Sequence, residues 1–286
     1  MENQRTNRSR LNKVIADSGL VSRRRADRLI EDGHVSLNGK KVYELGIKVD
    51  PEKDKILVDG KPLKRKGESV YAIFHKPRGV LTTMEDPLGR PTVSDFLERL
   101  PVRLFPVGRL DWDSEGLLLL TNDGDYANKI MHPQREVTKT YLVKLDGLPR
   151  PEQLLKLRRG VSIIGGRVAA KFAARVERGK DKRAWIKIVI TEGKNRQIRQ
   201  MFQKIGFDVL KLQRIAIGQL RLGGLPRGEI AFLNETAAGR VFKQDLSGEQ
   251  RETRRSANQR LARPKSLKKN VGGSERTKIQ RLFDED

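Results

Sequence analysis

The residues best placed to do chemistry gather between positions 106 and 124. There a polar run carrying Gly108, Arg109, Asp111, Asp113 and Ser114 passes through Gly116 into Leu117, Leu118, Leu119 and Leu120, and then into Asn122, Asp123 and Gly124. A short apolar run bounded by turn residues reads as a buried strand. Asp111 stands just ahead of that run, so a rigid element can hold it at the edge of a cleft. A carboxylate in such a place can serve as a nucleophile or as a general acid or base. The plainer alternative, open at this point, is a turn or capping aspartate paired with Arg109.

The rest of the chain says what such a carboxylate would meet. Its 286 residues suggest about two domains. Hydrophobic residues make up 36%, below the globular average but enough for a core if part of the chain is an unfolded tail. Sixty Lys and Arg against 36 Asp and Glu leave a formal charge of +24, which calls for a polyanionic partner, nucleic acid first. No apolar run is long enough to span a bilayer and no signal peptide is evident, so a membrane is the weaker partner and the cytoplasm the expected compartment. Cysteine is absent, which excludes disulfides and cysteine-ligated zinc or iron–sulfur sites. His34, His75 and His132 are too scattered to suggest a metal site.

Several elements must position the carboxylate and its partner. Residues 1–8 are polar and are expected to be disordered. Leu11, Val14 and Ile15 share a helical face, and Gly19 can end that helix. Ser22 is a good N-cap for a second helix that turns Ala26, Leu29 and Ile30 inward and Arg23, Arg24, Arg25 and Arg28 outward. Two similar strands follow over 35–40 and 56–61, each with a dipeptide that favours a tight turn. This is a small α+β unit over 9–68, with Lys64, Arg65, Lys66 and Gly67 as a linker. A larger unit over 70–245 offers strands at 70–75, 117–120, 140–145 and 184–190. The last two alternate, so one face is expected to meet solvent or RNA. Helices are expected over 125–131, 151–158 and 195–205, the last carrying Ile198, Met201, Phe202 and Ile205 on one face with Gly206 as its stop. The mixture predicts an α+β fold on a mixed, largely antiparallel sheet flanked by helices. Residues 246–286 are basic and poor in large apolar groups, and read as a disordered arm able to engage phosphates.

The stretch around Asp111 resembles the signature of the RsuA-type pseudouridine synthases, which modify bacterial ribosomal RNA. Three further segments agree in order and separation: His75-Lys76-Pro77-Arg78-Gly79-Val80, Lys139-Thr140-Tyr141, and Glu192-Gly193-Lys194-Asn195-Arg196-Gln197-Ile198-Arg199. The first unit resembles the S4-type RNA-binding domain. Ser114 stands where threonine is common, and Gln200 where a second arginine is usual.

The resemblance implies a reaction that detaches uracil from ribose, rotates it and rejoins it through carbon, with no metal or organic cofactor. Asp111 would attack the sugar C1′ or the base C6. Lys194 is the first candidate for a basic neighbour that favours its ionised form, and Arg196 the second. The target base must leave the RNA stack. Tyr141 would stack on it and help proton transfer, unless it is an ordinary strand tyrosine. Arg109 would hold a phosphate or fill the vacated space, unless it pairs with Asp113 or Asp123. Ile198 either lines the uracil pocket or is core. Arg196 and Arg199 are further RNA contacts, as are Ser22, Arg23, Arg24, Arg25, Arg28, Lys40 and Lys41 of the first unit. Large-subunit (23S) ribosomal RNA is the expected substrate, because the segments at 132–137 and 89–93 resemble the large-subunit members. The same reaction on 16S RNA, or a non-catalytic ribosome-assembly factor, are the alternatives. A monomer is expected.

Overall fold

A computed structural model of the protein describes residues 8–64, 67–176 and 185–243. The tail over 246–286 and residues 1–7 of the expected disordered leader lie outside the described residues. So do Arg65 and Lys66 of the linker and Ala184. The chain divides into two compact units, the first running to Val70 and taking in 122–124, the second containing the rest.

The first unit opens with β1 (Ser9–Arg10), α1 (Leu11–Asp17) and α2 (Arg23–Glu31). It continues through β2 (Val35–Leu37), β3 (Lys40–Lys41), β4 (Lys48–Val49), β5 (Ile56–Val58) and β6 (Lys61–Pro62). Leu11 and Ile15 on α1 and Ala26 and Ile30 on α2 are each four apart, so each pair shares one face. They bury against Val35, Val49, Ile56 and Val58. The Ser22 hydroxyl accepts the Arg25 N–H at 3.2 Å and caps α2. The sheet order is β3-β2-β5-β6. Its two hairpins turn through Asn38–Gly39 and Asp59–Gly60, with φ of 51°, 85°, 50° and 77°. Two consecutive positive φ values define the primed turn that suits the natural twist of a hairpin.

The second unit carries β7 (Tyr71–Lys76), α3 (Ser94–Leu97), β8 (Phe105–Val107), β9 (Glu115–Thr121), α4 (Gly124–Met131), β10 (Lys139–Leu145) and α5 (Pro151–Arg159). Then come β11 (Val161–Ile163), β12 (Gly166–Val168), β13 (Phe172–Val176), β14 (Trp185–Ile190), α6 (Gln197–Gln203), β15 (Val209–Ile217), β16 (Leu220–Arg221), β17 (Ile230–Leu233) and α7 (Glu235–Gly239). The sheet runs β13-β14-β10-β15-β9-β7-β17, with β16 on β15 and β8 on β9. Every pairing in it is antiparallel except β9 with β15. The α+β reading with a mixed, largely antiparallel sheet is therefore borne out. All of β9 is buried, and Leu117, Leu118, Leu119 and Leu120 are each wholly inaccessible. No helix among the described residues is long and apolar enough to cross a membrane.

Three details depart from the sequence reading. The helix expected over 195–205 forms only from Gln197 to Gln203, because Arg196 takes a left-handed conformation, φ 49°, that a helix cannot include. The polar face expected on β14 folds back on its neighbour: Lys187 is 8% exposed, its ammonium 5.7 Å from the Phe172 ring. The longest strand, β15, was not anticipated. Its ladder with β10 shifts register between Thr140 and Tyr141 and again between Lys144 and Leu145. Such bulges break the two-residue period by which a strand is recognised.

Candidate active site

The sheet forks at β9. One edge of this strand pairs with β15 through Glu115 and Gly116, and then with β8 from Leu119 to Thr121. Gly116 makes the first contact possible: with φ at 113°, a Cβ there would lie 2.2 Å from the Arg214 carbonyl oxygen. Between the two pairings the Leu117 carbonyl has no strand partner on that edge. The Arg214 Nε–H satisfies it at 2.7 Å.

A cavity of about 510 Å³ opens at this fork. It is lined by the 107–111 segment and Ser114, by Lys139 and Tyr141 of β10, by the loop from Ile190 into α6, and by Leu212 and Arg214 of β15. That volume is typical of a small-molecule pocket, and the openings of the sheet and the loops, not a single concave element, create it.

The loop bearing Asp111 is fixed through its backbone. The Leu110 carbonyl accepts from Thr82 Oγ1 at 2.7 Å. The Asp111 carbonyl accepts from the Ser114 N–H at 3.0 Å and from Lys76 Nζ at 3.2 Å. The Trp112 carbonyl accepts from the Gly79 N–H at 2.9 Å. The Asp113 carbonyl accepts from Arg199 Nη2 at 3.1 Å, and the Ser114 carbonyl from Lys76 Nζ at 3.0 Å. The Lys76 ammonium also donates to Pro77 at 2.9 Å and is fully buried. Burial lowers it from the usual lysine value to about 8, against the opposing pull of Asp111 and Asp113.

With its backbone so held, the side chain of Asp111 is left over. It is half-buried and lines the cavity. Among the described residues its carboxylate makes no hydrogen bond or ion pair. The alternative pairing with Arg109 is not formed. Arg109 is exposed, borders the cavity, and has no ion pair among the described residues. Asp113 is bound instead, by Arg196 and Arg199 at 3.1 Å each. Burial pushes its carboxyl up, but Arg199 and Arg196 outweigh this and hold it below the ordinary range.

The other expected residues divide. Tyr141 is 8% exposed and lines the cavity, and so does Ile198, which is also core. Lys194 borders the cavity, but its ammonium donates to the Gly165 carbonyl at 2.6 Å. Lys194 is thus engaged with Gly165 and Arg196 with Asp113, and neither forms an ion pair with Asp111 among the described residues. The charges that Asp111 steadies belong to Lys76 and Arg199. Gln200, in place of an arginine, ties the Ile164 N–H at 3.0 Å to the Asn195 carbonyl at 2.7 Å, fastening the β11–β12 hairpin to the loop ahead of α6. In the first unit Arg23, Arg24, Arg25, Arg28, Lys40 and Lys41 are all exposed, while the Ser22 hydroxyl is engaged as a cap.

Sequence reasoning missed Lys139 and Arg214 as cavity residues, and gave Lys76 no role. Lys139 was detectable, two residues before Tyr141 on one strand face. Arg214 was not, because its strand was not recognised.

Comparison with known proteins agrees with the motifs. The family model described as RNA pseudouridylate synthase matches residues 70–204, and that of the S4 domain matches 9–55. The ribosomal large subunit pseudouridine synthase B of Bacillus subtilis is 48% identical over 221 residues, 77% of this chain and 90% of its own. The protein of the same name from Yersinia pestis is 39% identical over 226 residues, 77% of this chain and 70% of its own. A crystal structure of a pseudouridylate synthase superposes with a TM-score of 0.58 at 29% identity, over 81% of this chain and 99% of that one.

Proposed function

The chain belongs to the RNA pseudouridylate synthase family, and we propose that it isomerises a uridine of large-subunit (23S) ribosomal RNA with Asp111 as the attacking carboxylate. One observation carries the role of Asp111. The backbone carbonyls from 110 to 114 are all bound, yet its own carboxylate has no partner among the described residues and lines a cavity large enough for a base. A structural aspartate would spend its oxygens on the turn. This one leaves them for a ligand.

In this reading a uridine is extruded from the RNA into the cavity. Tyr141 packs on the base, Ile198 closes the apolar side, and Arg109 at the rim meets the RNA backbone. Asp111 attacks C1′ or C6, and the base turns and rejoins through C5. Arg196 and Arg199 act through Asp113, holding the loop while Arg196 stays partly open to RNA. Lys194 shapes the rim. The exposed cations of the first unit (Arg23, Arg24, Arg25, Arg28, Lys40 and Lys41) supply phosphate contacts that position without reading sequence. Ser22 serves by capping the helix that presents them. The attacking group is the protein's own, so the reading asks for no metal or organic cofactor. A monomer acting in the cytoplasm suffices. The large-subunit target rests on the names of the relatives and on the segments at 89–93 and 132–137.

The test is to incubate the protein with ribosomal RNA transcripts and map pseudouridines chemically. One new site in 23S RNA is expected. A site in 16S RNA instead would move the assignment to the sister reaction. Asp111→Asn should abolish isomerisation while RNA affinity stays within about threefold. Turnover surviving in that variant would refute the assignment of the nucleophile.

A further inference from the structure

Two cations of the cavity wall, Arg214 and Lys139, have no counter-charge among the described residues. Arg214 is 4% exposed, its Nε–H is spent on the Leu117 carbonyl, and its Nη2 is buried with no hydrogen-bond partner. Lys139 donates to the Thr191 carbonyl at 2.7 Å. Burial, and then the charge of Arg214, lower it to about 8. Among the described residues neither has a carboxylate within ion-pair distance. Placing a half-buried ammonium beside a buried guanidinium is costly unless a partner offsets them. Both line the cavity that Asp111 lines, so the missing partner is sought in the substrate.

Their placement says which part of the substrate. Tyr141 stands directly opposite Arg214 across the β10–β15 ladder. Lys139 is two residues before Tyr141, so the three share one face of the sheet. In a nucleotide swung out of RNA the phosphates remain on the strand, and the base reaches deepest. A guanidinium as buried as that of Arg214 therefore meets the base. Uracil has two exocyclic oxygens, O2 and O4.

We propose that Arg214, supported by Lys139, is a catalytic residue that binds the exocyclic oxygens of uracil and stabilises the negative charge they acquire during isomerisation. This rests on the pseudouridine synthase reading above. If Asp111 displaces the base at C1′, the C1′–N1 bond breaks and its electron pair stays on uracil, spread over N1, O2 and O4. If Asp111 adds to C6, the C5–C6 π pair moves onto C5 and O4. Either route loads O4 with charge. On the C1′ route a ring electron pair forms the C5–C1′ bond and expels the Asp111 carboxylate. On the C6 route the C1′–N1 bond then breaks with its pair left on N1, and C5 bonds to C1′. Asp111 leaves C6 with its electron pair as the C5–C6 double bond re-forms. On either route C5 gives up its proton to solvent and N1 gains one. No oxidant or co-reactant is required. Donors aimed at charge that develops only in the transition state are worth more there than in the ground state.

The experiment uses the full-length protein and a uridine-bearing ribosomal RNA transcript. It reads the single-turnover rate, the RNA dissociation constant and the melting temperature of each variant. Arg214→Gln should slow chemistry by about a hundredfold or more, with RNA affinity changed by less than about threefold. Lys139→Gln should slow it by about tenfold, and it carries the test should Arg214→Gln fail to fold. A second transcript carries 5-fluorouridine at the target, whose electron-withdrawing fluorine relieves charge on the ring. On that RNA, read as loss of the intact nucleoside, both defects should shrink. Equal slowing of the two substrates would make Arg214 and Lys139 merely structural. A loss confined to affinity would make them phosphate contacts. Either result overturns the proposal. Absence of pseudouridine with the unmodified protein would overturn the function reading instead.

Discussion

The arginine face of α2 and the buried and half-buried cations of the second unit carry the same charge in opposite surroundings. Arg23, Arg24, Arg25 and Arg28 are exposed, and among the described residues none makes an ion pair. Three of them crowd the first turn of α2, which has no acidic residue and whose dipole disfavours cations. Lys76, Lys139, Arg199 and Arg214 are drawn inside, and all but Lys139 are less than a sixth exposed at the side chain or wholly buried. Each of the four is held by backbone carbonyls. Water solvates the first set, so its attraction for phosphate is long-ranged, screened by salt and tolerant of geometry. Carbonyl dipoles replace water around the second set, so its effect is local, little screened and exacting. The first arrangement suits capture of a polyanion, and the second suits holding a loop and a reacting group in place.

The comparison breaks most visibly at Lys76. Lys76→Met keeps the length of the side chain and removes the donor, leaving the Pro77, Asp111 and Ser114 carbonyls short of a partner. A loss of about 3 kcal/mol is expected from urea unfolding, and isomerisation should fall with it. If both stability and activity are kept, Lys76 does not hold the loop that bears Asp111.

On the outer surface the effect should be on binding. Changing Arg23, Arg24, Arg25 and Arg28 to glutamate should weaken RNA affinity by roughly ten- to a hundredfold. It should also reduce the log–log salt slope by about 3, at roughly 0.7 to 0.9 per phosphate contact. The rate on saturating RNA should stay within about twofold. An unchanged affinity would reduce that face to a solvated surface.

A pH series sharpens the contrast from the interior side. Lys76 and Lys139, lowered by burial to about 8, are charged in both the folded and unfolded chain below that pH, where the fold bears the whole cost. From 8 towards the unfolded lysine value near 10.5, the folded protein releases protons that the unfolded chain keeps, so stability rises with pH. Between pH 7 and 9 each lysine should contribute about 1 kcal/mol to that rise. Urea unfolding of the wild type should show it, and Lys139→Gln should show a smaller one. A flat profile for the wild type would mean these ammonium groups are better solvated than their positions indicate.

The smallest effect belongs to Ser22. Its hydroxyl caps α2, so Ser22→Ala should cost about 0.5–1 kcal/mol of stability, with RNA affinity nearly unchanged. A large loss of affinity at equal stability would return Ser22 to direct RNA contact.

Residue types and their spacing already declared much of this protein. The charge, the small N-terminal α+β unit, the tight turns at Asn38 and Asp59, the α+β class and the position of Asp111 ahead of a buried strand are written in local chemistry. The S4-type identity of that unit and the candidacy of Tyr141 and Arg199 came through resemblance to a family. A cap, a turn, an amphipathic face or an arginine cluster is decided by residues within a few positions of each other. Tertiary structure alone decided that Asp111 keeps its carboxylate free while Asp113 takes the arginines. It alone decided that Lys76 and not Lys194 is bound to the loop, and that Arg214 fills the fork between β8 and β15. Those outcomes depend on which distant carbonyls are left without partners when strands diverge. A buried polar group must find a partner wherever the fold happens to provide one, and no spacing along the chain records where that is.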